Sequence, residues 1–507
     1  MNPRSLVLVT VDCLRADRFG FNGYSRPLTP FLDSLAKESI VLSEAVVAGA
    51  PTYFSFPAIM GSRYPLGLGR EVAGIAPGEP TIASTLHEAK HETAAFIAGN
   101  PYLTARFGYD QGYVHFSDFL NATARDQTTS LRPPVRARWS RLNQSVERFS
   151  RLTKFTSAAY NELYFRYCQW RSGRDNLSMD QLRRYPAADV VVSAACAWLQ
   201  ALRAEQFFLW IHLMDPHHPY YPPQEALQSL GISQITPFRA RFLNSFWNRF
   251  DLSPQRLKRY KQDVMALYDA GVHWVDRQIS RLVDALKLHQ RWSDTIFVVT
   301  ADHGEEFLEH GNRYHSPTGL AEELIRVPLL IRAPGISPLG SLHEPFSLIH
   351  LAPTLLQALG VDAPPSFRGS GLWKEISSGK APNYPAIVEC VEAYDEPLSM
   401  PDRLGRRLMA VRNRDYKLVL HFGEQRDDLY DLQNDPQERQ PLPASIQTKE
   451  RARLLQCARD HLRDERERRD QQLVMRAQLR QIRQSIDLRS SQVAVTRNQG
   501  AAKIEHG

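Results

Sequence analysis

Two runs of apolar, largely β-branched residues, far apart in the chain, each end in residues that can bind a metal ion. Leu6-Val7-Leu8-Val9-Thr10-Val11 runs into Asp12, and Thr295-Ile296-Phe297-Val298-Val299-Thr300 runs into Asp302 and His303. Such unbroken runs read as strands buried on both faces of a parallel sheet. Ligands of such sheets gather beyond the carboxyl ends of the strands. The two runs therefore predict one sheet edge carrying two carboxylates and an imidazole, the outline of a site for a hard-to-borderline divalent cation. The competing reading is that Asp12 and Asp302 cap the helices that follow.

The 507 residues suffice for a large core, and length alone suggests about two to four domains or one core with additions. A hydrophobic share of 43% and a charged share of 23% are those of a soluble globular protein, and no apolar run reaches transmembrane length. Met1 to Arg4 leads straight into the first strand and leaves no room for a signal peptide, so the expectation is a cytoplasmic protein. The sequons at Asn121, Asn143 and Asn176 are then chance matches. Cys13, Cys168, Cys196, Cys390 and Cys457 are odd in number and lack a CxxC pair. That argues against a disulfide framework or a cysteine zinc site and for reduced, mostly buried thiols.

Strand-like and helix-like segments alternate to about residue 117, as in a doubly wound α/β unit. Residues 118–190 break that pattern with many arginines and interleaved aromatics, and read as a basic helical insertion. The core resumes with a strand at Phe207 to Leu213 and a long amphipathic helix near Leu257 to Leu288. Residues 446–507 are polar, Arg- and Gln-rich and helix-prone, fraying toward the end. The insertion and this tail each carry a net charge of +6 against +7 for the whole chain, so the remainder is net acidic. A basic, aromatic-rich insertion fits an anionic glycan or lipid surface; a solvated helical face fits equally. No recognised nucleic-acid module is visible.

Between the two strand ends lies Ala50-Pro51-Thr52-Tyr53-Phe54-Ser55-Phe56-Pro57-Ala58-Ile59-Met60-Gly61-Ser62-Arg63-Tyr64-Pro65. Val11-Asp12 with Arg15 and Asp17, Thr29 to Ala36, His212 to Tyr220, Tyr268 to Asp276, Asp302 to Glu305, Glu322 to Ile331, Ala352 to Leu356 and Leu429 to Glu438 complete an ordered set. The set resembles the sulfatase family of the alkaline phosphatase superfamily, whose nucleophile segment reads Cys/Ser-x-Pro-x-Arg and ends in Thr-Gly-Arg-Tyr-Pro. The resemblance implies a doubly wound mixed α/β sheet over residues 1–370, a small antiparallel C-terminal subdomain over 371–445, with strands near Ala386 to Val391 and Arg414 to His421, and a helical tail.

It also implies site roles. Counting back from Arg63-Tyr64-Pro65 puts Thr52 at the nucleophile position. Asp12, Asp302, His303 and the Thr52 hydroxyl would hold one divalent cation (calcium, manganese or zinc), with room for a second. His217 or His218, with His217 fitting best, would contact substrate or protonate the leaving group. His315 would reach the anion or a second metal. Arg63 and Lys417 would contribute positive charge, and His212 reads as structural.

Two departures from the family pattern bear on chemistry. Thr52 cannot become the formylglycine that sulfatases make from Cys or Ser, so sulfate release by collapse of an aldehyde hydrate is closed to it. Phe54 and Phe56 also replace the motif's Pro and Arg. A phosphorylated Thr, by contrast, can be released by activated water, which turns the expectation toward phospho-ester or phosphonate substrates. Second, Cys13 replaces the second Asp of the family's Asp-Asp pair, which removes a hard ligand and admits a softer ion. The leading expectation is thus a metal-dependent hydrolase of sulfuric or phosphoric esters. The alternatives are a phospho-group transferase and a non-catalytic binder of an anionic glycan or lipid.

Overall fold

The run behind Asp12 forms the central strand of the protein. In the computed structural model, which describes residues 4–69, 73–120, 154–172, 177–317, 319–336, 340–380, 383–391, 407–484 and 486, Ser5–Val11 (β1) is buried along its whole length. The other strands of its sheet are Ile40–Leu42 (β2), Glu92–Ile97 (β3), His115–Ser117 (β4), Phe207–Leu213 (β5), Thr295–Ala301 (β6), Leu329–Arg332 (β7) and Ser341–Leu342 (β8). Their order in this eight-stranded sheet is β8-β2-β7-β6-β1-β5-β3-β4. β6, β1, β5, β3 and β4 run parallel, whereas β7 runs antiparallel to both β6 and β2. The sheet is mixed, and its parallel centre explains why β1, β5 and β6 are apolar without alternation.

Helices cover the sheet. Pro30–Ala36 (α1), Thr52–Gly61 (α2), Lys154–Ser172 (α3), Ala188–Ala201 (α4), Pro237–Trp247 (α5) and Lys261–Leu288 (α6) follow in chain order. α6 begins a little later than its apolar period suggests, because Pro254–Lys258 forms a separate short helix. Gly271 in α6 permits a close approach: a Cβ there would lie 2.8 Å from the Asp215 carbonyl oxygen, on the loop that carries His217.

Most of the expected basic insertion, residues 121–153 and 173–176, lies outside the described residues, and so do all three sequons. Its longest described element is α3, which docks by Phe165 against Phe242 and Phe246 and by Glu162, 2.8 Å from Arg249 Nη1. Leu163, Tyr164, Tyr167 and Trp170 are exposed. Among the described residues no helix is long and apolar enough to cross a membrane.

The C-terminal part holds a second, four-stranded antiparallel sheet of Ala386–Val391 (β9), Arg407–Arg412 (β10), Tyr416–His421 (β11) and Arg426–Asp431 (β12). Two of its strands, β10 and β12, escape the sequence reading: charged residues dominate β12, and β10 is only a short apolar run, Leu408 to Val411, between two arginines. Thr448–Glu467 (α7) packs Leu454 and Ala458 into one apolar cluster with Met409, Val411, Leu418 and Leu429 of that sheet. A further helix over 471–484 buries Ala477 against Leu68 and Ala76. The expected tail is therefore helical and docked as far as residue 484, and the fraying expected beyond falls outside the described residues. None of the five cysteines is in a disulfide; Cys13 and Cys390 are buried, but Cys168, Cys196 and Cys457 are only partly so, fewer buried thiols than expected.

Candidate active site

Strand register brings the two sequence signals together. Val11 lies opposite Ala301 on one side and Leu213 on the other, so Asp12, Asp302 and the loop after β5 leave the sheet at one edge. Neither aspartate caps a helix. The Asp12 carboxylate accepts from Asn100 Nδ2 at 3.0 Å and Cys13 Sγ at 3.1 Å, and Asp302 Oδ1 accepts from the His303 backbone N–H at 2.9 Å. Gly304 must follow His303, because a Cβ there would overlap the Glu323 carbonyl oxygen.

His303 Nδ1 is 2.9 Å from the Gly304 carbonyl oxygen. A carbonyl only accepts, so Nδ1 carries the proton and Nε2 presents its lone pair. Nε2 lies 3.5 Å from Asp12 Oδ1, 3.5 Å from Asp302 Oδ2 and 3.1 Å from Thr52 Oγ1. Asp12, Asp302 and His303 are fully buried and Thr52 nearly so. Burial works against ionised Asp12, but His217, His212 and His303 outweigh it and hold this carboxyl well below its ordinary range. Asp302 is pushed up, first by burial and then by the charge of Asp12. Asp302 Oδ2 makes no hydrogen bond among the described residues. Two buried carboxylates, one orphaned oxygen, an imidazole lone pair and a hydroxyl form a donor set that fits a divalent cation. Thr52 is also the first residue of α2, a ten-residue helix whose positive end favours an anion there.

A second group of side chains faces the same edge. His217 Nδ1 bonds the His218 carbonyl oxygen, which leaves His217 Nε2 as the free lone pair. The His217 and His315 rings lie 5.0 Å apart, and the His315 and His303 rings 4.5 Å apart. His315 Nδ1 is 3.1 Å from Glu305 Oε2 and 3.4 Å from Cys13 Sγ, and Tyr220 donates to Glu305 Oε1 at 2.8 Å. Burial opposes the Glu305 charge, yet His315 brings its pKa down to about 2. His218 turns to Tyr314, with Nε2 3.4 Å from the phenol oxygen, and burial lowers its pKa to about 3, so it stays neutral.

The structure thus gathers Asp12, Thr52, Asp302, His303, His217 and His315, with His218 at the margin. It does not bring Arg63 or Lys417 to them. Arg63 is buried in an ion pair with Glu79 and donates from Nη2 to Gly74 O at 2.6 Å, bracing the loop after α2. Lys417 is buried, donating to Leu320 O at 2.6 Å and pairing with Glu322 at 3.2 Å and with Glu438. Its strand position is consistent with either face of β11, and the facing carboxylates decide it. Phe56, at the family's Arg position, packs against Tyr109, Trp210 and His212. His212 lies 3.0 Å from Thr10 Oγ1 through Nδ1 and 3.5 Å from Asp12 Oδ2 through Nε2, so it buttresses Asp12. Sequence reasoning passed over Asn100 and Glu305. The strand-end rule that found Asp12 applies equally to Asn100, which closely follows β3. A cavity of about 540 Å³ is lined by residues that include Arg15, Arg18, Lys261 and Arg326 and by none of this group. The buried donor set, not that hollow, marks the chemistry.

Comparison with known proteins agrees with this geometry. The sulfatase family profile matches residues 4–361, and that of the N-sulphoglucosamine sulphohydrolase C-terminal region matches residues 309–467. An N-acetylglucosamine-6-O-sulfatase of Bacteroides thetaiotaomicron is 32% identical over 197 residues, 38% of this chain and 34% of that protein, so the chain spans about a third of this curated relative. An arylsulfatase of Clostridium perfringens is 24% identical over 485 residues, covering 89% and 92% of the two chains. The fold matches a phosphonate monoester hydrolase from Silicibacter pomeroyi with a TM-score of 0.65 at 18% identity, over 93% of this chain and 96% of that one. With a family profile covering the whole mixed sheet, the strand ends that carry Asp12 and Asp302 and the helix start that carries Thr52, the chain belongs to the sulfatase family.

Proposed function

We propose that the protein is a metal-dependent hydrolase of anionic esters with Thr52 as its nucleophile, acting on a phospho-ester or phosphonate in preference to a sulfate ester. The observation that carries this reading is the Thr52 hydroxyl, 3.1 Å from His303 Nε2, at the start of α2 and beside two buried carboxylates. Asp12, Asp302 and His303, with Thr52 Oγ1, would hold the cation. When bound, it neutralises the ester's negative oxygens and lowers the pKa of the hydroxyl.

The residues divide the remaining work. The start of α2 orients the anion over Thr52. Thr52 Oγ gives up its proton to solvent and forms the bond to phosphorus, and the alcohol leaves with the electrons of the broken P–O bond and takes a proton from water. Water then cleaves the phospho-threonine link and restores the hydroxyl. His217 and His315, beside His303, are placed to contact the ester. Preference for phosphorus rests on Thr52 itself: a threonine ester has no carbonyl to collapse to, so release needs direct attack at the central atom, the step phospho-esters undergo. Family membership by itself would favour sulfate.

Turnover of aryl sulfate, aryl phosphate and aryl phosphonate by the purified chain tests the proposal, with Thr52→Ala as control. Phospho-substrate turnover that vanishes in the variant is the expected result. Multiple-turnover sulfate release would overturn the substrate preference. Absence of both turnover and bound metal would move the reading to a non-catalytic binder of an anionic glycan or lipid.

A further inference from the structure

Cys13 is where the chain departs most from its family's pattern, and its surroundings are specific. It is fully buried with φ of +59°, a left-handed conformation that β-less residues tolerate and cysteine adopts only when its neighbours enforce it. The bend comes directly after Asp12 and turns Sγ to the same side as that carboxylate, 3.1 Å from Oδ1. Ligand atoms of Cys13, His217 and His315 lie within 4.8 Å of one another, and Sγ also belongs to an equally close trio with Asp12 and His303. Glu305 stands behind His315 at 3.1 Å and is itself fixed by Tyr220. The free lone pair of His217 is set by its backbone bond, as that of His303 is.

We propose that Cys13, His217 and His315 hold a second, thiophilic divalent cation of the zinc class, beside the Asp12–Asp302–His303 position, with Glu305 orienting His315. The inference rests on the hydrolase reading above and deepens it: the side of the site that His217 and His315 line holds a metal ion gripped by two imidazoles. A sulfur and two nitrogens suit a borderline-soft ion, whereas the neighbouring position offers mainly oxygen and suits a harder one. Buried carboxylates behind ligating imidazoles are the usual means of fixing such rings. Binding replaces the thiol proton, which leaves to solvent, so one proton is released for each thiolate–metal bond formed. His217 is then a ligand and not the proton donor to the leaving group.

Elemental analysis of the full chain, and its near-ultraviolet spectrum after cobalt(II) replacement, test this. The expected result is two equivalents of metal and a thiolate-to-cobalt charge-transfer band. Cys13→Ser should lose the band and one equivalent, and Asp302→Asn should lose the other equivalent and keep the band. If Cys13→Ser fails to fold, as judged by circular dichroism, His217→Gln in place of it should weaken binding of one equivalent by about 100-fold or more. One equivalent without a band in the native chain, or a band that survives loss of Cys13, overturns the second site. Thr52→Ala separates the two ideas, because Thr52 is no ligand of the Cys13–His217–His315 position: the charge-transfer band persists there, and retained turnover in that variant sinks the nucleophile reading whatever the metal count.

Discussion

Two buried ionic clusters in this protein differ in whether their charges close. Where the two sheets meet, Arg412 and Lys417 are matched by Glu44, Glu322 and Glu438, with Arg326 also on Glu44. At the edge of the main sheet, Asp12, Asp302 and Glu305 face imidazoles and a thiol, and among the described residues no Lys or Arg pairs with their carboxylates. The first cluster completes itself and serves stability. The second is left one or more positive charges short, a cost that a fold retains where a ligand supplies the difference. Buried charge alone does not mark function; unanswered buried charge does.

The largest expected effect tests the open cluster. Thr52→Ala should lower turnover of the preferred aryl ester by about 10³-fold or more while the chain stays folded. Steady-state kinetics beside a thermal melt checks both halves, and unchanged turnover would remove Thr52 from the chemistry. Next, Asp302→Asn should weaken binding of one metal equivalent by at least about 100-fold, yet leave the metal-free chain as stable as before or more so, because it relieves the repulsion with Asp12. Elemental analysis and urea midpoints measured in chelator decide it. A large loss of metal-free stability would mean that the open cluster is structural after all.

The closed cluster should behave in the opposite way. Lys417→Met leaves buried carboxylates unanswered and should cost about 3–5 kcal/mol without changing metal content. An altered metal content would show that the two clusters are linked. The smallest effect is in acid. Burial opposes the charge of Glu322, but Arg412 and Lys417 bring its pKa down from 4.5 to about 2. A carboxyl depressed on folding contributes stability that is fully present above about pH 4.5 and lost as pH falls through about 2. Glu438, raised by burial ahead of its other influences, acts with the opposite sign. Glu322→Gln should therefore flatten the acid limb between those two values in urea melts run across pH; an unchanged limb would place the acid sensitivity elsewhere.

The same contrast explains what could be read in the chain. β1, β5 and β6 were legible because parallel central strands are apolar on both faces, and their ends named Asp12, Asp302 and His303. β12, Arg426–Asp431, was illegible because only Leu429 of its residues is fully buried. Arg63 and Lys417 look like site residues until their partners are known, and Lys417 meets Glu322, 95 positions away, through a sheet contact that no local pattern announces. Cys13 could be noticed as a departure, but its left-handed turn toward Asp12 depends on packing around it.

The helix over 471–484 has a consequence in time. Arg469 and Arg480 donate to the carbonyls of Leu68 and Ile75, in the loop behind Thr52, across separations of 401 and 405 residues. Contacts so remote along the chain close late, because the loss of loop entropy precedes any gain from the contact. The sheet can form from its own parallel strands before that strap arrives. During refolding, recovery of turnover should lag the recovery of secondary structure: the protein acquires its shape first and its competence last.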